Sequence, residues 1–175
     1  MRFPDLRCLA ITLAVMGQTA CNPALNWRET RIDDTALVAL LPCKPDHGAR
    51  QIKFAGQTLD MRMSGCDAGD ASFAVAQVRL NPGVSPARLL VQWRDVSLAT
   101  LGAPDFRERA LDKSEAALPA GSLLVSANGR RPDGSAVQMQ GVWFARDDRV
   151  FQAVVYAEKF TPDMTETFFS GLKFQ

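Results

Sequence analysis

The sequence predicts an α+β fold: a mostly antiparallel sheet of about six strands flanked by two or three helices. Three observations point to it. Short apolar or alternating runs, punctuated by Gly, Pro and Asp, recur on both sides of residues 85–102. Two segments have helical spacing and each opens on a capping residue followed by proline, Ser85-Pro86 and Thr161-Pro162. The order is strands, helix, strands, helix, and short turns between strands favour hairpins with helices packed on the sheet.

The chain opens with a segment that reads as an export signal. Met1, Arg2 and Arg7 make a positive start, and Cys8 to Gly17 (CLAITLAVMG) is an apolar run too short to span a bilayer. Thr19-Ala20-Cys21 then resembles a bacterial lipobox, in which the cysteine thiol receives a diacylglyceryl group and becomes the new N-terminus. Gln18 departs from the usual leucine and Asp5 is unusual so early. The alternative for Cys21 is an ordinary residue near a secretory cleavage site. The expected organisation is a leader over 1–20, a lipidated tether over 21–26 and one α+β domain over 27–175.

Trp27 to Ile32 reads as a first strand and Asp33-Asp34 as a turn. Leu37 to Leu41 is an apolar strand stopped by Pro42 and Pro45, and Asp46-His47-Gly48 reads as a loop. Ile52 and Phe54, then Leu59, Met61 and Met63, alternate with polar residues around Gly56 and predict a hairpin. Ser72 to Leu80 is apolar on both faces, as a central strand would be. In the first helix Leu89, Leu90, Trp93, Val96, Thr100 and Leu101 form the expected core stripe, ending near Gly102. Residues 103–121 stay open, with Phe106 to Leu118 either a helix or an ordered loop. Ser122 to Ala127, Val137 to Ala145 and Val150 to Ala157 read as strands, turned at Asp133-Gly134 and Asp147-Asp148. The last helix buries Met164, Phe168 and Leu172.

Composition narrows the partners. Without Arg2, Asp5 and Arg7 the chain keeps 18 basic and 18 acidic residues. A neutral domain lacks the basic footprint that nucleic acid requires, and lacks the charge for electrostatic docking on anionic lipid. The expected membrane contact is the N-terminal lipid anchor alone. About 155 residues bury roughly 68–70% of their unfolded surface, enough to fold without a metal.

Cys8 falls in the leader and Cys21 at the acylation site, which leaves Cys43 and Cys66. An even remainder in an oxidising compartment reads as one disulfide. Redox or metal chemistry is the alternative, but there is no CxxC and no second ligand cluster.

Several phrases carry a resemblance. Asn26-Trp27-Arg28-Glu29, Leu40 to Pro45 (LLPCKP), Phe73 to Ala76 (FAVA), Arg130 to Ser135 (RRPDGS) and Val150 to Ala153 (VFQA) resemble an uncharacterised family of beta-proteobacterial lipoproteins. The likeness covers nearly all of residues 26–175. It implies a PsbP-like α/β/α sandwich, as in DcrB-like envelope lipoproteins. It transfers no catalytic residue, and implies a module that docks on partners or supports an envelope process.

The residues with chemical potential are few. His47 is the only histidine; Asp46 is merely its neighbour in sequence, and no GxSxG supplies a nucleophile. The plain reading is a solvated loop histidine. Asp33-Asp34, Asp147-Asp148 and the Asp67/Asp70 pair sit where aspartate bonds its own turn, rather than as two acids facing a cleft. Asp67 to Asp70 is too short for an EF-hand loop. Arg130 and Arg131 precede a turn and either grip an acidic group or simply solvate a hairpin tip. Trp143 and Phe144 are adjacent on a strand, so one is expected to face outward, as a contact residue or packed under residues 103–121.

No cofactor or metal is called for. The expected function is a non-catalytic binding module of the envelope, facing the periplasm, for a protein or envelope component. The runner-up is a small-ligand domain with a cleft between the sheet and residues 103–121, with binding residues Arg130, Arg131 and Trp143. A hydrolase comes third.

Overall fold

The computed structural model describes residues 24–54, 56–112 and 114–175. The leader over 1–20 and Cys21 lie outside the described residues. No helix among those described is long and apolar enough to cross a membrane.

The chain runs β1 (Arg28–Arg31), β2 (Leu37–Leu41), β3 (Asp46–Phe54), β4 (Gln57–Ala68), β5 (Ala71–Arg79), α1 (Pro86–Thr100), β6 (Phe106–Ala110), β7 (Leu123–Arg130), β8 (Ala136–Arg146), β9 (Arg149–Ala157), α2 (Pro162–Ser170) and β10 (Lys173–Phe174). Seven strands form one antiparallel sheet in the order β3-β4-β5-β9-β8-β7-β6. A second, small sheet has the order β1-β2-β10. Two tight turns need a left-handed residue: Gly69 (φ +57°) joins β4 to β5, and Asp147 (φ +55°) joins β8 to β9.

The topology fixes where α1 lies. After β5, near the middle of the sheet, the chain restarts at β6 on the far edge and walks back through β7 and β8 to β9. The crossover must pass over that half of the sheet. The α1 helix makes it, packing on β8 and β9 through Leu89, Trp93, Leu98 and Leu101. Its end is docked: the Leu101 carbonyl accepts from the Arg130 N–H at 2.9 Å. The opposite sheet face is covered by β2 and α2; Phe168 and Phe169 of α2, with Leu172 just past its end, join Phe73, Val75, Phe144 and Phe151. Phe73 meets Trp27 and Phe168 edge-on, at ring separations of 5.6 and 5.4 Å.

This is a correction to the expected fold class. The protein is mostly sheet, with half of the described residues in strands and 16% in helix. It is not a helix-flanked α+β sandwich: among the described residues there are ten strands and two helices. Three local readings account for the difference. Asp46 to Gly48 is the start of β3 rather than a loop, because β4 runs long enough to pair with it. Residues 106–110 form an edge strand rather than part of a helix or an ordered loop. Much of the face opposite α1 is filled by strands instead of a helix. The predicted α1 stripe also loses Val96, which is 56% exposed.

Cys43 and Cys66 are joined by a disulfide with a Cα–Cα separation of 6.0 Å. It ties the chain just after β2 to β4, and so links the two sheets.

Candidate functional site

Because α1 covers the β7–β9 half of the sheet, the β3–β5 half beside it is left open. A cleft of about 550 Å³ lies there, within the roughly 300–1,000 Å³ range of small-molecule sites. Strand alternation puts Ile52 and Phe54 of β3, Met61 and Met63 of β4, and Ala76 of β5 on the same face, and all five line the cleft. Trp93 and Val96 of α1 form the facing wall. Two residues whose apolar spacing marks them as core are left uncovered at its lips: Met63 is 46% exposed and Val96 56%.

Polar side chains interrupt this apolar lining. Gln152 of β9 donates through Nε2 to the Ser97 hydroxyl of α1 at 3.2 Å. Tyr156, half-buried, also lines the cleft, and burial pushes its phenol above its ordinary pKa. Four cations belong to the lining, Arg50 and Lys53 from β3, Arg130 from the end of β7 and Arg131 from the turn after it, with no carboxylate among the lining residues. None of the four is ion-paired among the described residues. Arg130 donates to the Gly134 carbonyl at 2.8 Å, and Arg131 lies near Asp133, whose carboxylate is held below its ordinary pKa chiefly by the Ser135 hydroxyl.

Of the residues singled out from sequence, Arg130 and Arg131 are brought to the cleft and Trp143 is not. Trp143 is 1% exposed inside the α1-side core, and its enclosed indole Nε1 has no hydrogen-bond partner among the described residues. Phe144 is equally buried on the other face. Neither faces outward, because both faces of β8 are covered. A second crevice, about 470 Å³, does lie by residues 109–115, the sheet and α2. It is more polar and is lined by neither arginine of the pair nor Trp143.

The pairs Asp33-Asp34 and Asp147-Asp148 lie at turns, whereas Asp67 lies within β4. Asp33 has φ +46°. Asp34 accepts from Arg149 at 3.0 Å and, with Asp33, from the buried Gln77; the Arg149 contact holds Asp34 below its ordinary pKa. His47, on β3 rather than a loop, sits opposite Ser64 with Nδ1 3.0 Å from its hydroxyl. That Ser–His pair was not foreseen. Ser64 is fully buried and lines neither cleft. Among the described residues, no three His, Cys, Asp or Glu side chains gather as a metal site would require.

Arg50 and Lys53 were missed from sequence, although a signal was present: Arg50 shares a strand face with Ile52 and Phe54, an odd place for a cation if that face were simply core. Gln152 and Tyr156 were hidden in an apolar strand.

No protein-family model and no curated protein matches the chain. Among solved structures, a Pseudomonas aeruginosa protein of unknown function, described as a candidate regulator, is similar at 14% identity and a TM-score of 0.36, over 75% of this chain and 82% of that one. A likeness at that level transfers no function.

Proposed function

We propose that the protein is a non-catalytic binding module of the bacterial envelope, and that it takes a small, mainly apolar ligand in the cleft beside α1. The observation that carries the reading is the pair of uncovered apolar lips, Met63 and Val96, over a cleft with an apolar floor of Phe54, Met61, Ala76 and Trp93. Apolar side chains left in water at the mouth of a concave site gain by being covered, at about 25 cal/mol per Å². This favours the small-ligand alternative over a flat protein-docking face. The enclosure of Ser64 and the placement of the Asp33-Asp34 and Asp147-Asp148 pairs at turns support a non-catalytic role.

The address rests on the leader, on Thr19-Ala20-Cys21 and on the likeness to beta-proteobacterial lipoproteins. In this reading residues 1–20 are removed, Cys21 is acylated and the domain faces the periplasm. Several buried acyl chains, at about 0.8 kcal/mol per methylene, anchor firmly. Mass spectrometry of the mature N-terminus tests it: an unmodified Cys21 refutes the anchor.

The cleft is tested with an uncharged, environment-sensitive fluorophore. The purified protein should bind it saturably, and Ser72→Phe, which adds a ring to a half-buried lining position, should weaken binding by about tenfold, the equivalent of 1.4 kcal/mol, while the far-UV spectrum is unchanged. No saturable binding by the wild type refutes the reading.

A further inference from the structure

We propose that the cleft's ligand is an anionic amphiphile: a single apolar chain ending in a carboxylate or phosphate. The proposal rests on the cleft reading above and adds the chemistry of the head group. Its basis is an asymmetry of charge. The chain without its leader has 18 cationic and 18 anionic side chains, so a neutral surface would mix the signs. Around the cleft the mixture breaks down, with Arg50, Lys53, Arg130 and Arg131 in the lining and no acid.

The cations come from two separate elements. Arg50 and Lys53 belong to the sheet's edge strand β3, and Arg130 and Arg131 to the end of β7 and the turn that follows it, so neither pair follows from the other. Arg50, Lys53 and Arg130 are exposed and Arg131 half-buried, whereas Phe54, Met61, Ala76 and Trp93 below them are buried. Charge therefore lies at the rim and apolar surface on the floor, the same division an amphiphile has.

The turn carrying Arg130 and Arg131 is also fixed in place. The Arg130 N–H is bonded to the Leu101 carbonyl, and the Arg131 N–H to the Ser135 carbonyl, each at 2.9 Å. A Cβ on Gly129 would lie 2.3 Å from the Leu101 carbonyl oxygen, so glycine is what lets the turn seat against α1. Guanidinium groups on a pinned backbone lose less freedom on binding than on a mobile loop, and Arg matches carboxylate and phosphate oxygens in bidentate fashion.

The recognition should differ from electrostatic adhesion to a bilayer. A neutral domain has no long-range pull toward anionic lipid, so selectivity arises within the cleft, from one head group on one chain.

The experiment compares ligands that share a twelve-carbon chain and differ in the head: dodecanoate, dodecyl phosphate, dodecanol and dodecyltrimethylammonium. Each is used as a monomer to displace the uncharged fluorophore. Both anions should bind about tenfold or more tightly than the alcohol, the size expected of one or two charge-assisted hydrogen bonds, and the cation most weakly. The anionic preference should shrink in Arg50→Gln/Lys53→Gln and in Arg130→Gln/Arg131→Gln. Equal affinity for all four heads, or a preference for the cation, overturns the head-group proposal but leaves the cleft reading standing. If the fluorophore itself does not bind, both fall. Should a variant misfold, the wild-type head-group series still decides.

Discussion

Trp143 stands next to Phe144 on β8, and alternation sends the two rings to opposite faces of the sheet. From sequence, one of the two was expected to face outward, either as a contact residue or packed under residues 103–121. The sheet is covered where β8 runs, so Trp143 packs under α1 and Phe144 stacks on Phe151 at 5.1 Å. Room for the indole comes from Gly141, where a Cβ would fall 2.8 Å from the ring. Trp143 therefore acts through folding. Trp143→Ala should cost about 3–5 kcal/mol in denaturant unfolding, as large core truncations do. Trp143→Phe should cost much less, because it removes an enclosed N–H that has no partner. A folded Trp143→Ala protein of near-normal stability would show that the indole is not core.

At the scale of elements, both helices were legible because their signals are local. Ser85 and Thr161 cap them as expected, accepting from the Arg88 and Met164 N–H groups. Strands β5 and β9 were legible as continuous apolar runs. β6 was not: all five of its residues are exposed, so no period marks it, and only pairing with β7 makes it a strand. Past its end a clasp closes the segment. Arg109 grips both oxygens of Glu115, at 2.6 and 2.5 Å, and the Asp112 N–H donates to the same carboxylate. The Arg109 bond first, then the backbone bond, lowers the Glu115 pKa from 4.5 to about 2. A depressed carboxyl stabilises the fold above its ordinary pKa, and that contribution is lost as pH falls from 4.5 through about 2. Both partners are more than a third exposed, so solvent keeps the gain small. An NMR titration should find Glu115 ionising near 2 in the wild type and closer to 4.5 in Arg109→Ala. An ordinary value in the wild type would mean the clasp is open in solution.

For the whole molecule, what could not be read was the relation between distant pieces. The cleft exists because α1 crosses one half of the sheet and leaves the other bare, and no local pattern states which half. Arg130 and Arg131 could be noticed singly, but their sharing one cleft with residues of β3 depends on that crossover. The cysteines are the exception, since parity alone proposed the pair. Their bond joins the chain after β2 to β4, 23 residues apart in sequence, and so connects the small sheet to the large one. Constraining the unfolded chain over that loop is worth about 2–4 kcal/mol. Cys43→Ala/Cys66→Ala should lose about that much in chemical unfolding yet remain folded, because the core on the α2 side is built from both sheets independently of the bond. The cleft lies on the other face, so fluorophore affinity in the folded variant should match the wild type. Loss of ligand binding together with an intact fold would mean that the disulfide holds the β3–β4 hairpin in its binding position.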